Sequence, residues 1–379
     1  MRRLFPLVAA VILVDTMFYA AITPLLPEYA DDLGLSKTSA GLLSASYAAG
    51  TLLAALPAGF LAARIGFRSV MILGLGLIGV SSVAFAFAGS VVVLDLARFA
   101  EGVGGACAWT GGLAWLLAAA PADRRGEVIG AALAAAIFGI LLGPVIGGIA
   151  TVIGPEIVFC AVAAVAAGLG VWVFATPGIK PLGVPNVRRV AAAIVSGPVV
   201  FAFWLVVMPS VLSGAFDVLI PLRMDALGAT GIAVGAAFFT AAAIEAFTAP
   251  VIGRLSDRRG RMTPILAGLI ACPLAALVLP LPESVVLLAV ALVAVVLAMS
   301  LIWTPAMALL SDNAEAAGLD LAFASALVSL AWAGGQVIGG SAFSGFADAT
   351  TDAASYGLIA ALFAATLASV LASPRLRSA

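Results

Sequence analysis

Twelve apolar runs, most of them about as long as a helix that crosses a bilayer, follow one another with little between them. They cover 4–27, 38–62, 69–89, 91–119, 127–152, 156–175, 196–222, 229–254, 262–281, 284–310, 321–346 and 352–372. A helix rises 1.5 Å per residue, so roughly 20 apolar residues cross a ~30 Å hydrocarbon core. Hydrophobic residues make up 64% of the chain and charged ones 10%, with a mean hydropathy of +1.22; soluble domains carry about 25% charged residues. The fold class expected is an all-α membrane protein of twelve transmembrane helices.

Arg2 and Arg3 precede the first run, but it carries Asp15, is too long for a signal-peptide core and lacks a small-residue cleavage site, so it is expected to stay in the protein. Basic residues stay on the cytoplasmic side. Of the 18 Lys and Arg, fifteen lie at the termini or in the even-numbered loops, among them Arg64, Arg68, Arg124, Arg125, Lys180, Arg188, Arg189, Arg258, Arg261, Arg375 and Arg377. Lys37 and Arg223 fall in outer loops. Both termini are therefore expected in the cytoplasm, and the location is an inner (cytoplasmic) membrane. Cys107, Cys160 and Cys272 lie in separate runs without metal-ligand spacing, so neither disulfide nor metal is expected. Histidine is absent, and a proton handled inside the bilayer near neutral pH must then sit on a buried carboxylate.

The fifth run contains Gly139-Ile-Leu-Leu-Gly143-Pro144-Val-Ile-Gly147-Gly148. Glycine and proline are costly in water-exposed helices, yet membrane helices accept them where a neighbour packs closely or the helix bends. A partial echo follows 192 residues later, with Gly335, Gly339 and Gly340 for Gly143, Gly147 and Gly148 but Gln336 for Pro144. From that asymmetry the bend is expected in the fifth span alone. At an offset of 194, Pro27, Gly59, Arg64 and Gly66 meet Pro221, Gly253, Arg258 and Gly260. Two six-helix halves follow, 1–175 and 195–379, joined by a linker at 176–194 rich in Pro and Gly and bearing Lys180, Arg188 and Arg189. Parallel halves with a site between them are a transporter architecture.

These residues resemble the major facilitator superfamily along essentially the whole chain. Its loop motif between the second and third helices reads Gly59-Phe-Leu-Ala-Ala63-Arg64-Ile-Gly66-Phe-Arg68 here, and returns as Gly253-Arg-Leu-Ser-Asp257-Arg258-Arg-Gly260-Arg261. The family's aspartate is Ala63 in the first copy and Asp257 in the second. Arg98-Phe-Ala-Glu101-Gly102 is similar to the family's proton-linked Arg-x-x-Gln-Gly pattern, with Glu for Gln, and the Gly139–Gly148 stretch to the motif of its drug/proton antiporter branch. Asp15 with Pro24 and Pro27, and Asp217 with Pro221, look like the first and seventh helices of vesicular amine transporters and bacterial multidrug exporters. Those proteins' other acids are replaced by Ser300 and Ser329, and a helix-two lysine by Tyr47. The resemblance implies gating or conformational roles for Gly59, Arg64, Gly66, Arg68, Gly139, Gly143, Pro144, Gly147, Gly148, Gly253, Asp257, Arg258, Gly260 and Arg261.

Asp15 stands about 11 residues into its span, roughly 16 Å deep. Holding an acid there costs about 2.5 to 3.5 kcal/mol on insertion scales. Such a carboxylate takes a proton or pairs with a cation, and competition between the two amounts to exchange; a structural pairing with Arg98 or a hydroxyl is the plain alternative. Thr16, Tyr19 and Thr23 are expected on the same face. Asp217 lies toward the outer end of the seventh span, and Glu245 near the middle of the eighth. Arg98 keeps its charge and is expected to pair with an acid, Glu101 one turn on being the nearest. Trp109, Trp115, Trp204 and Trp332 read as packing or interface anchors, whereas Tyr19, Tyr47 and Trp303 are expected to wall a cavity for a cation.

The function expected is a proton-coupled antiporter that expels lipophilic, cationic small molecules by alternating access, as in multidrug efflux. The alternatives are a metabolite exporter or facilitator with a neutral substrate, and a non-transporting membrane receptor. Few fixed positive charges inside the spans count against anions, and the lack of histidine and of clustered cysteines counts against an enzyme. No nucleotide-binding loop occurs, so the proton gradient is the expected energy source, with no cofactor. The partners expected are a small molecule, protons and the lipid bilayer, without nucleic acid, the protein acting as a monomer.

Overall fold

A computed structural model describes residues 4–120, 125–179, 195–319 and 321–372. Arg2, Arg3, Arg124, Lys180, Arg188, Arg189, Asp320, Arg375 and Arg377, with most of the expected linker, lie outside the described residues, as does the side chain of Arg125.

The described chain is helical throughout: α1 (Leu4–Ala21), α2 (Leu26–Leu33), α3 (Lys37–Ile65), α4 (Phe67–Ala86), α5 (Val91–Ala119), α6 (Arg125–Ile153), α7 (Pro155–Ala175), α8 (Gly197–Ala226), α9 (Gly231–Arg259), α10 (Met262–Val278), α11 (Val285–Ala316), α12 (Leu321–Val337), a π-helical turn (Ile338–Phe343), α13 (Ser344–Ala349) and α14 (Asp352–Ala372). Among the described residues ten helical segments are long and apolar enough to cross a membrane, α12 through α13 counting as one. The charged α5 and the shorter α10 complete the twelve expected spans. The first run is shorter than its hydropathy implies, because Pro24 has no amide to continue the ladder and the chain turns before α2. Four helices start on side-chain caps, the Ser36, Thr230, Ser284 and Thr351 hydroxyls accepting from the Ser39, Ala233, Leu287 and Ala354 amides at 3.1 to 3.3 Å. Lys37 and Arg223, expected in loops, stand instead in the first turn of α3 and the last turn of α8.

Two compact units emerge. The first holds Met1–Leu33 and Ser46–Pro185, the second Gly34–Ala45 and Asn186–Ala379, so the leading turns of α3 are grouped with the second. Within the first unit α1 lies along α6, and α4 along both α5 and α7. Within the second, α8 lies along α12, and α10 along both α11 and α14. The pairings repeat with an offset of six spans, as the internal sequence match implies.

Close packing carries the repeat to single residues. A Cβ at Gly143 would strike Ala20 and the Met17 carbonyl, and one at Gly147 would overlap the Ala21 carbonyl. In the second unit Gly335 meets Ser210 and the Val207 carbonyl, and Gly339 the Val211 carbonyl. Gly139 presses in the same way on Thr16, while Gly148 is buried and its carbonyl accepts from the Thr151 hydroxyl at 2.8 Å. Helices in lipid gain little from hydrophobic contrast and associate through this kind of backbone approach.

The irregular turn does not fall where the proline stands. Helix α6 remains α-helical from Arg125 to Ile153 with Pro144 inside it, and the irregular turn falls in the second copy, at Ile338–Phe343. There Gly339 and Gly340 bring no side chains to obstruct a wider turn. Hydroxyls from Ser341 and Ser355 donate to the Val337 and Phe343 carbonyls at 2.5 and 2.7 Å.

Both copies of the loop motif end on a glycine that no other residue fits comfortably. Gly66 has φ 92°, ψ 153° and Gly260 φ 85°, ψ 150°, a region open essentially to glycine alone. The surroundings differ. In the second copy Arg261 pairs with Asp257 at 2.5 Å and Asp312 at 3.3 Å. In the first, where Ala63 replaces the acid, Arg68 lies 5.4 Å over the Phe174 ring and donates to the Thr176 carbonyl at 3.4 Å. Arg64 and Arg258 are exposed, Gly59 has open space where a Cβ would stand, and Gly253 would touch only Thr304, at 3.8 Å.

Candidate functional site

In the first unit Asp15 is wholly buried, at 0% exposure, together with Glu101 at 0% and Arg98 at 1%. Three helices build the cluster. Helix α1 supplies Asp15 and Tyr19, α3 supplies Tyr47, and one stripe of α5 supplies Arg98, Glu101, Gly105 and Trp109, residues spaced to share a helix face. Glycines let α5 come close enough: a Cβ at Gly102 would overlap the Tyr47 carbonyl, and one at Gly105 would stand 2.6 Å from Asp15 Oδ1.

Two neutral donors converge on one carboxylate oxygen. The Tyr47 hydroxyl donates to Asp15 Oδ2 at 3.2 Å and the Trp109 indole Nε1 donates to the same atom at 3.0 Å. Asp15 Oδ1 is buried with no hydrogen-bond partner. Arg98 is held elsewhere: Nη1 donates to Glu101 Oε2 at 2.8 Å and Nη2 to the Tyr19 carbonyl at 3.2 Å, while its Nε and Glu101 Oε1 are unpartnered. Its guanidinium also lies over the Tyr19 and Tyr47 rings, 5.7 and 5.2 Å from their centroids. Orphaned atoms on two acids and their base mark the cluster as unfinished by protein groups alone.

Five expected site residues are thus brought together: Asp15, Tyr19, Tyr47, Arg98 and Glu101. Asp15 meets a hydroxyl and an indole, and the pair expected of Arg98 forms with Glu101. Tyr19 and Tyr47 turn ring faces to the protein's own Arg98. Thr16 turns away from the acid, bonding the Ile12 carbonyl at 2.9 Å and facing Gly139. Trp109, read from the sequence as an anchor, is part of the site. The signal was its spacing, eleven residues beyond Arg98 on the same stripe.

In the second unit the candidates stay apart. Asp217 on α8, Glu245 on α9 and Trp303 on α11 are each partly exposed. Asp217 faces the Gln336 amide, whose Nε2 also donates to the Ser213 hydroxyl at 3.0 Å. Ser300 and Ser329 bond their own helices through the Val296 and Ser325 carbonyls, at 3.3 and 3.2 Å. Among the described residues no cluster of His, Cys, Asp and Glu has the arrangement of a metal site.

A family model for the Major Facilitator Superfamily matches residues 8–340. The chain belongs to that superfamily. It is a multi-pass membrane protein with the fold of transporters, and its family is one of transporters, not enzymes. This major facilitator protein is 26% identical to the synaptic vesicular amine transporter of Mus musculus over 282 residues, 71% of this chain and 53% of that one. It is 33% identical to a probable vesicular acetylcholine transporter-B of Danio rerio over 162 residues, 39% of this chain and 32% of that one. The chain thus spans between about a third and a half of the length of these relatives. A solved POT family transporter in complex with 5-aminolevulinic acid matches 98% of the chain and 96% of its own at a TM-score of 0.79 and 14% identity, a likeness of fold.

Proposed function

We propose that this major facilitator protein is a proton-coupled antiporter of lipophilic organic cations, exchanging the two at Asp15. The observation that carries the reading is the state of that carboxylate: wholly buried, with one oxygen engaged by two neutral donors and the other unpartnered. An uncompensated charge in such a place is expensive. A proton removes the charge and a cationic substrate balances it, so the two compete for one group. Arg98 offsets it only in part, because its guanidinium is bonded to Glu101 and the Tyr19 carbonyl rather than to Asp15.

The relatives support the cationic half of the reading, being named for an amine and for acetylcholine. Asp217 and Glu245 are the further candidates in the second unit, where a second titrating or substrate-contacting group would sit. The proton gradient supplies the energy and no cofactor takes part. Release follows when a proton from the acidic side displaces the cation, and loss of that proton to the other side restores the charge that draws the next one.

The test uses protein reconstituted in proteoliposomes with tetraphenylphosphonium as probe cation. The wild type is expected to drive its flux with an imposed pH gradient, and Asp15→Asn to abolish coupled flux while its thermal unfolding stays cooperative. Wild-type antiport by that variant would remove Asp15 from the mechanism.

A further inference from the structure

Asp15 has no exposed surface, so a cation reaches it only if some side chain gives way. From α3 the Tyr47 hydroxyl faces it, and from α5 Arg98, Glu101 and the Trp109 indole; the described residues of α6 and α7, also packed on α1, place no titratable group against it. Tyr47 is 4% exposed. Trp109 alone among the two hydrogen-bond donors to Asp15 is partly exposed.

The geometry on the carboxylate is equally informative. Both donors end on Oδ2, and Oδ1 stands against the backbone of Gly105, where a Cβ would fall 2.6 Å from it and 2.7 Å from the Tyr47 hydroxyl. A proton placed on Oδ1 makes Oδ2 the carbonyl oxygen, which still accepts two hydrogen bonds. The same pair of donors therefore serves the acid and its ion without rearrangement. They do not serve them equally, since a hydrogen bond to the charged form favours it. An indole N–H only donates; it cannot take the proton it helps to place. Of the three rings described in this cluster, Tyr19 and Tyr47 already lie under Arg98, and Trp109, bonded to Asp15, is the one with no protein cation over it.

We propose that Trp109 is the positioning residue of the exchange site: its N–H holds Asp15 ready to ionise, and its ring is the movable cover over which an organic cation enters. The proposal rests on the antiport reading of Asp15 and adds the group that sets when the acid releases its proton and what shape of cation reaches it. A ring kept only for packing would be replaced by phenylalanine without effect on protonation.

The experiment follows the carboxylic acid C=O band of Asp15 by infrared difference titration of the protein in lipid nanodiscs, assigned by its loss in Asp15→Asn, and tetraphenylphosphonium binding in the same samples. Trp109→Phe should raise the midpoint of the band by about one pH unit, the loss of one hydrogen bond to a charged group. Trp109→Ala should in addition weaken tetraphenylphosphonium binding by about tenfold, within the range of a desolvated cation–π contact. Trp109→Tyr, which keeps a ring and a donor, should lie nearer the wild type in both and serves where the phenylalanine variant does not fold. Midpoints and affinities equal to wild type in the folded variants overturn the proposal while leaving the antiport reading intact. No band assignable to Asp15 at any pH, with coupled flux surviving in Asp15→Asn, overturns the antiport reading itself.

Discussion

The α1–α6 pair of the first unit and the α8–α12 pair of the second share a packing register and differ in what that register encloses. Gly143 and Gly147 lean on Met17, Ala20 and Ala21 as Gly335 and Gly339 lean on Val207, Ser210 and Val211. In that correspondence Asp15 falls on Leu205, which is likewise 0% exposed, and Pro144 on Gln336. Sequence matching at the prolines aligns Pro27 with Pro221 at an offset of 194, whereas contact aligns Met17 with Val207 at 190, about one helical turn different. Asp15 and Asp217 are therefore not counterparts. The two copies share a way of bringing two backbones together and differ in the side chains it encloses.

Leu205 is where the comparison breaks most readily. Leu205→Asp puts a carboxylate into a buried site with none of the donors that Asp15 enjoys, and should cost about 3 to 5 kcal/mol, read as thermal unfolding in detergent. A variant as stable as the wild type would mean that the second unit has an unrecognised cradle of its own. Next in size is the ion pair. Arg98→Met alone should destabilise by about 3 kcal/mol because Glu101 is left charged and unpaired, and adding Glu101→Met should recover most of that loss; a double variant no better than the single would show Arg98 held chiefly by other groups. Smallest are Gly147→Ala and Gly339→Ala, each expected to cost about 1 to 3 kcal/mol from a methyl forced against a facing carbonyl. If one is tolerated and the other is not, the shared register is only apparent.

Much of this was legible in the amino acids. Apolar runs of bilayer length set the twelve spans, the echo of Gly143 to Gly148 at Gly335 to Gly340 set the duplication, and Arg98 with Glu101 one turn later forecast its own ion pair. Trp109 was not legible as a site residue. In a membrane helix both the lipid face and the buried face are apolar, so hydropathy does not say which way an indole points, and only the stripe running from Arg98 through Gly105 tells. The π turn was hidden for another reason: proline is the usual mark of an irregular helix, and here Pro144 sits in a regular one while the wide turn occupies a pair of glycines that leave room without announcing it.

That wide turn has a consequence for how α13 is aimed. A π turn carries one residue more than its α equivalent, which advances everything after it by about 100° around the helix axis. Asp348, which accepts from the Thr38 hydroxyl at 2.7 Å, and the chain leading to Asp352, paired with Lys37 at 2.5 Å, lie downstream of it. Their present bearings are thus set by a single surplus residue, and were Ile338–Phe343 to tighten to α geometry, Asp348 would swing by more than a quarter of a turn. The six residues act as an angular offset written into the helix, the kind of part that fixes a clasp in one direction and, by giving up one residue, undoes it.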